Sequence, residues 1–194
     1  LLMGIQGNAS LELMDMDSKH PHYNTFKKIE KAVQEGAELT RQLIGYARKG
    51  RYRSRAIAIN DIIENTSQTF QKMKKEITIH CDFTQRPHGI EADQGQMEQI
   101  LLNLYINAAD AMPDGGDIYL KTKNVTHRDI KSTLYEPRPG KYVRITVADN
   151  GIGIDKEIQH RIFDPFFTTK KTGKGTGLGL ASVYGIVKSH DGYI

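Results

Sequence analysis

The chain has 194 residues, 38% hydrophobic and 26% charged, an ordinary balance for one or two globular domains. The net charge of +4 is a mild excess, and the basic tracts Tyr46–Arg55 and Thr168–Gly175 lack the interleaved aromatics of a single-strand groove, so no nucleic-acid partner is expected. One cysteine, Cys81, excludes a disulfide framework and points to a reducing compartment; no run of 18 apolar residues exists to span a bilayer, and no signal peptide is visible.

The chain starts at Leu1 inside a helical pattern and stops at Ile194 as a strand pattern begins, so a fragment of a longer protein is expected. Leu1 to about Asp17 reads as helix, with Leu1, Leu2, Ile5, Leu11, Leu13, Met14 and Met16 as apolar positions, and Pro21 stops it. From Phe26 the positions Phe26, Ile29, Val33, Gly36, Thr40, Leu43 and Ala47 step by three and four, the seam of a packed helix pair. An antiparallel helical hairpin follows. Leu39 and Ile44 lie off that seam, and two helices cannot bury two stripes alone, so a four-helix bundle made by two chains is expected. The tract "RKGRYRSR" reads as a linker, which divides the chain into a hairpin over 1–55 and a second domain over 56–194.

In the second part, "NDIIENTSQTFQKM" is an amphipathic helix with Asn60 or Asp61 as its cap. "EITIHCDF" alternates like a strand and "HGIEAD" is a short one. Asp93 to Met112 reads as a helix apolar on nearly every side, therefore buried. "DIYLKTKNV" and "KYVRITVAD" are strands joined by the polar loop "THRDIKSTLYEPRPG"; "DKEIQHRIF" and "LASVYGIVKSH" read as helices. The fold class is α+β.

Several residues are unusual for their setting. Asn103 and Asn107 lie one turn apart on one face of an apolar helix, and buried amides need partners. Asp149 continues the strand face of Val143, Ile145 and Val147, where a carboxylate is costly unless paired. Asp149-Asn150-Gly151 is also a common hairpin turn, but helix rather than strand follows it. A purine's exocyclic amine would suit Asp149 as a donor, with Gly151 and Gly153 admitting a flat ring. "GKGTGLGL" fails both the dinucleotide fingerprint and the Walker A pattern. It has glycine at every second position, Gly173 to Gly179, running into a helix, either a flexible loop or a phosphate cradle. Phe163, Phe166 and Phe167 around Pro165 are either core or the anchor of a hinged lid.

In this order the four features resemble the bacterial sensor histidine kinases over nearly the whole chain. Residues 97–112 are similar to that family's N box, 149–153 to its first glycine box, 163–167 to its F box and 175–179 to its second glycine box. "ELTRQLIGYARKG" is similar to the second helix of the family's dimerisation and phosphotransfer hairpin, in the subgroup often fused to receiver domains. The resemblance implies an α/β sandwich ATP-binding fold with a mixed sheet and three helices, shared with gyrase-type ATPases. It implies ATP and Mg²⁺ as cofactors, with Asn107 on the metal, Asn103 beside it and Asp149 on the adenine amine. Gly151, Gly153, Phe166, Gly175, Thr176, Gly177, Leu178 and Gly179 would complete the nucleotide site. Some kinases of the family carry Lys where Asp110 stands here, so Lys170 and Lys174 become the candidate phosphate cations. Related ATPases place a water-activating glutamate at the Asn103 position, and an amide is no general base. The site is therefore suited to presenting its γ-phosphate to another group.

The implied reaction is phosphoryl transfer from Mg-ATP to a histidine and then to an aspartate on a response-regulator receiver domain, in a cytoplasmic homodimer joined through the hairpin. Any membrane anchor would lie in domains outside this chain. The acceptor histidine belongs on the first helix just ahead of Leu1, and none of the seven histidines here replaces it. The rival readings are a serine or threonine kinase of the same fold and a non-catalytic nucleotide-sensing module.

Overall fold

The structure is a computed structural model that describes residues 2–33, 36, 54–130, 136–170 and 175–194. The chain forms two compact units, Leu1–Arg48 and Lys49–Ile194.

In the first unit, α1 covers Leu2–Asp15 and a second helix, α2, covers residues 23–33. Between them Asp17 organises the turn: its carboxylate accepts from Lys19 N at 2.9 Å and its carbonyl from His20 N at 2.8 Å. Ser10 Oγ donates to Glu30 Oε1 at 2.7 Å across the turn, and Ala9 and Val33 are buried, as an antiparallel hairpin requires. Met3, Leu11 and Met14 of α1 stay exposed, so this helix carries an uncovered apolar side. The seam positions Thr40, Leu43 and Ala47, the off-seam Leu39 and Ile44, and residues 48–53 of the basic tract lie outside the described residues.

The second unit runs β1 (Arg55–Ile57), α3 (Ile59–Met73), β2 (Ile77–Asp82), β3 (Ile90–Ala92), α4 (Gln94–Asp110), β4 (Gly116–Thr126), β5 (Lys141–Asp149) and α5 (Gly179–Ser189). β2 pairs parallel with β4, and β4 antiparallel with β5, giving a mixed sheet in the order β2-β4-β5. β1 and β3 pair antiparallel apart from it. Alternation decides what faces in. Ile118, Leu120 and Thr122 of β4 are buried towards the helices, while Tyr119, Lys121 and Lys123 are exposed on the other face. α3 and α4 supply the opposing apolar surface, with Ile59, Ile63, Phe70, Leu101 and Tyr105 almost wholly buried. Phe70 and Tyr105 stack tilted at 5.5 Å, which joins the two helices.

Four expectations are corrected. α3 is capped at Ala58 without a side-chain bond; Asn60 instead donates to Thr84 O at 2.9 Å and accepts from Thr122 Oγ1 at 3.0 Å, fastening the helix to the sheet. α4 is not buried all round: Ile106 is 49% exposed and both asparagines are half-buried. "DKEIQHRIF" forms turns and one short 3₁₀ segment, Gln159–Arg161, rather than a helix. β1 was hidden at the end of the basic linker, since three residues show no period.

Candidate functional site

α4 begins at Asp93, whose carboxylate caps Gln96 N at 3.1 Å, and carries Asn103, Asn107 and Asp110 towards its C-terminal end. α5 packs antiparallel along it. Asp93 N donates to His190 Nε2 at 3.1 Å, Gln99 Nε2 donates to Ser182 Oγ at 3.3 Å, and Gly179 reaches the asparagines. A β-carbon on Gly179 would stand 3.6 Å from Asn107 Nδ2 and 3.9 Å from Asn103 Oδ1. The N-terminus of α5 therefore opens onto the two amides. Its cap, Leu178, makes no side-chain bond, so the first-turn N–H groups face that space without a side-chain acceptor.

The glycine segment is built against the phenylalanine segment. Gly177 has φ +67°, and a β-carbon there would lie 2.4 Å from the Phe166 carbonyl carbon, so only glycine fits. Phe166 N donates to Gly177 O at 3.0 Å and is itself left-handed at φ +67°. Thr176 Oγ1 accepts from Leu178 N at 3.4 Å, and a β-carbon on Gly175 would meet Thr168 Oγ1 and Lys170 Cδ at 2.9 Å. Lys170 Nζ reaches back to α4: it donates to Asn107 Oδ1 at 3.3 Å and forms an ion pair with Asp110. The three phenylalanines do not form core. Phe166 is exposed, Phe163 leans on Tyr184 of α5 at 5.6 Å, and Phe167 lies under the Arg161 guanidinium at 4.4 Å. Lys174 lies outside the described residues.

Asp149 ends β5 opposite Ile118 and is exposed, so the desolvation argument for a paired carboxylate does not hold. Its Oδ1 accepts from Gly151 N at 2.9 Å, which turns the chain out of the sheet. Among the described residues no second strand follows Asp149, so the hairpin reading fails here. Gly151 makes a close approach, but to protein rather than to a ring: a β-carbon there would stand 2.6 Å from Ala111 O. Ile152 N donates to that same carbonyl at 3.1 Å, satisfying an orphan acceptor at the end of α4. Ile152, three residues after Asp149, is thereby held to Ala111, one turn beyond Asn107. Gly153, at φ +71°, has open space where a side chain would begin.

Asn103, Asn107, Asp110, Lys170 and Gly179 are thus brought into one cluster, with Asp149, Gly151 and Gly153 hooked to the end of the same helix. Two contributors went unnoticed in the sequence, Ala111 as the hook and Thr168 as the support of Gly175. The "AMP" and "TTK" surroundings gave no periodic signal for either. The donor set suits a magnesium triphosphate. Amide and carboxylate oxygens face a cation, here the Lys170 ammonium, and an uncapped helix start faces outward for phosphate. Beneath the site, burial raises the Tyr105 phenol, whose hydroxyl has no partner among the described residues.

Residues 92–194 match the family described as histidine kinase-, DNA gyrase B-, and HSP90-like ATPase. The whole chain is 36% identical to sensor kinase CckA of Brucella abortus and 29% identical to the signal transduction histidine-protein kinase AtoS of Escherichia coli, spanning 21% and 29% of their lengths. Among solved structures, the catalytic domain of histidine kinase ThkA is 27% identical with a TM-score of 0.57, the match covering 71% of this chain and 82% of that one. Full-length ShkA in complex with AMPPNP matches 97% of this chain and 38% of its own at a TM-score of 0.66 and 24% identity, a likeness of fold. The match takes in every candidate residue from Asn103 to Gly179, and the chain belongs to the histidine kinase, DNA gyrase B and HSP90-like ATPase family.

Proposed function

We infer that this chain is the dimerisation hairpin and ATP-binding catalytic domain of a sensor histidine kinase in two-component signalling. The single observation that carries the reading is the convergence of Asn103, Asn107 and Gly179 at the uncapped start of α5. Asn107 Oδ1 would face Mg²⁺, Asn103 would stand beside it, and the first turn of α5 would receive phosphate oxygens. Asp149 would accept from the adenine amine through the carboxylate oxygen that Gly151 N does not hold. Mg²⁺ supplies charge neutralisation on the triphosphate.

The protein's own part is positioning. A histidine nitrogen of another segment would attack the γ-phosphorus, forming N–P as the bridging P–O bond to ADP breaks, and the imidazole proton would leave to solvent. Asn103 cannot deprotonate water, which favours transfer over hydrolysis. Four of the seven histidines of this chain are engaged or set in a turn. His20 and His22 sit in the hairpin turn, His80 is held by Asp117 at 2.7 Å, and His190 Nε2 accepts from Asp93 N. The exposed apolar side of α1, with Met3, Leu11 and Met14, supports a second copy as the dimer partner. ThkA has been solved in complex with response regulator protein TrrA, and a receiver domain is the partner proposed here.

The test mixes this chain with a longer version that carries the upstream histidine but has Asn107→Ala, in the presence of labelled Mg-ATP. Acid-labile label on the longer partner alone is expected. Acid-stable label on this chain would overturn the reading in favour of a serine or threonine kinase.

A further inference from the structure

Lys170 makes contacts within the chain that the proposed reaction does not require. Its side chain is one-third exposed, and the ammonium bridges two oxygens of α4, Asn107 Oδ1 at 3.3 Å and the Asp110 carboxylate. Its stem packs under Gly175, and its backbone N donates to Thr168 Oγ1 at 3.2 Å. The segment Phe166–Lys170 is thus fastened at both ends, to Gly177 O through Phe166 N and to α4 through the Lys170 head. Asp110 stands next to the oxygen that the function proposed above assigns to the metal. A divalent cation and an ammonium cannot share one amide oxygen without strong repulsion.

We propose that Lys170 is an internal cation that competes with Mg²⁺ for Asn107, with Asp110 as the positioning residue that keeps it there. The pair ties the Phe166–Lys170 segment to α4. Metal-loaded nucleotide has to break the Lys170–Asn107 contact; metal-free nucleotide does not. Lys170 therefore raises the threshold for Mg-ATP specifically. The inference rests on the metal role of Asn107, but the tether itself is made of this chain's residues alone.

Two measurements test it. Amide hydrogen exchange of the nucleotide-free protein reads the tether. Lys170→Met and Asp110→Asn should each speed exchange at the bonded amides of Phe166 and Lys170 by about two- to fivefold, the range expected for a partly exposed ion pair. The double variant should be no faster than either single one, and Lys170→Arg, which keeps the charge, should restore slow exchange. Calorimetry then compares ATP affinity with and without Mg²⁺. In Lys170→Met the ratio of the two should rise by a similar factor of about two to five, because lost phosphate contacts weaken both forms and cancel. Unchanged exchange, additive effects in the double variant, or an unchanged Mg²⁺ ratio would each overturn the proposal. Exchange needs no nucleotide, so a chain that bound no ATP would refute the function proposed above while the tether still stood or fell on its exchange rates.

Discussion

Gly179→Ala separates the site from the fold. The added methyl would stand 3.6 Å from Asn107 Nδ2 and 3.9 Å from Asn103 Oδ1, ordinary contact distances, so no protein atom has to move. Gly179 is also the first residue of α5, where alanine is the better helix former. Stability should therefore hold or rise, by up to about 1 kcal/mol. The same methyl fills the space between the asparagines and the first-turn N–H groups, where phosphate oxygens would have to enter. Affinity for Mg-ATP should fall at least tenfold, about 1.4 kcal/mol. Urea denaturation gives the first quantity and titration calorimetry the second. An alanine variant that binds Mg-ATP as tightly as the parent would refute the placement of phosphate at this helix start. A variant that loses stability would show that Gly179 serves packing instead. Gly177→Ala is the control, since its methyl collides with the Phe166 backbone and its φ is left-handed, so fold and binding should suffer together.

Asp149→Asn replaces an acceptor-only group with one that can point a donor at the adenine amine, and should cost about 1–3 kcal/mol of ATP binding by calorimetry; unchanged affinity would remove Asp149 from the site. Asn107→Ala should abolish the Mg²⁺-dependent part of ATP binding while sparing the metal-free part, read by titrating nucleotide with and without the metal. Tyr105→Phe removes a buried hydroxyl with no partner among the described residues, so the melting temperature should hold or rise, and a loss above about 1 kcal/mol would count against that account. The Asp129 carboxyl is held below its ordinary range, chiefly by the Thr126 N–H at 2.8 Å and then by the Thr126 hydroxyl at 2.9 Å. Its contribution to stability is therefore present above the ordinary carboxylate pKa and lost as pH falls through the depressed value. A carboxyl titration followed by NMR should find it below free aspartate, and a value at or above that would contradict the bonding.

What could be read ahead of the structure follows from length and period. β4 and β5 alternate over 11 and 9 residues, long enough for the two-residue period to show, and α4 runs 17 residues with a clear apolar surplus. The asparagine pair was visible because four-residue spacing is a local property of one helix. The partners were not local. That Asn107 meets Lys170 and Gly179 depends on α5 lying antiparallel along α4, which is settled by Asp93–His190 and Gln99–Ser182 contacts far apart in the chain. The same holds for Asn60, which looked like a helix cap and is instead taken up by Thr84 and Thr122 across the sheet. Residues 155–163 carry Ile158 and Ile162 at helical spacing, yet tertiary context leaves them only a single 3₁₀ turn.

The hook between Ile152 and Ala111 makes α4 a ruler. The turn that follows Asp149 is fixed to the end of this helix through Ile152, and Asn107 lies four residues before Ala111, a rise of about 6 Å at 1.5 Å per residue. In the proposed complex, base and metal are therefore read from one rigid body, and the interval between them cannot stretch when neighbouring segments move. Such a gauge responds to the span from adenine to the first phosphates, which ATP and ADP share. Telling the two apart would then fall to the residues proposed for the far phosphates, Lys170 and the start of α5.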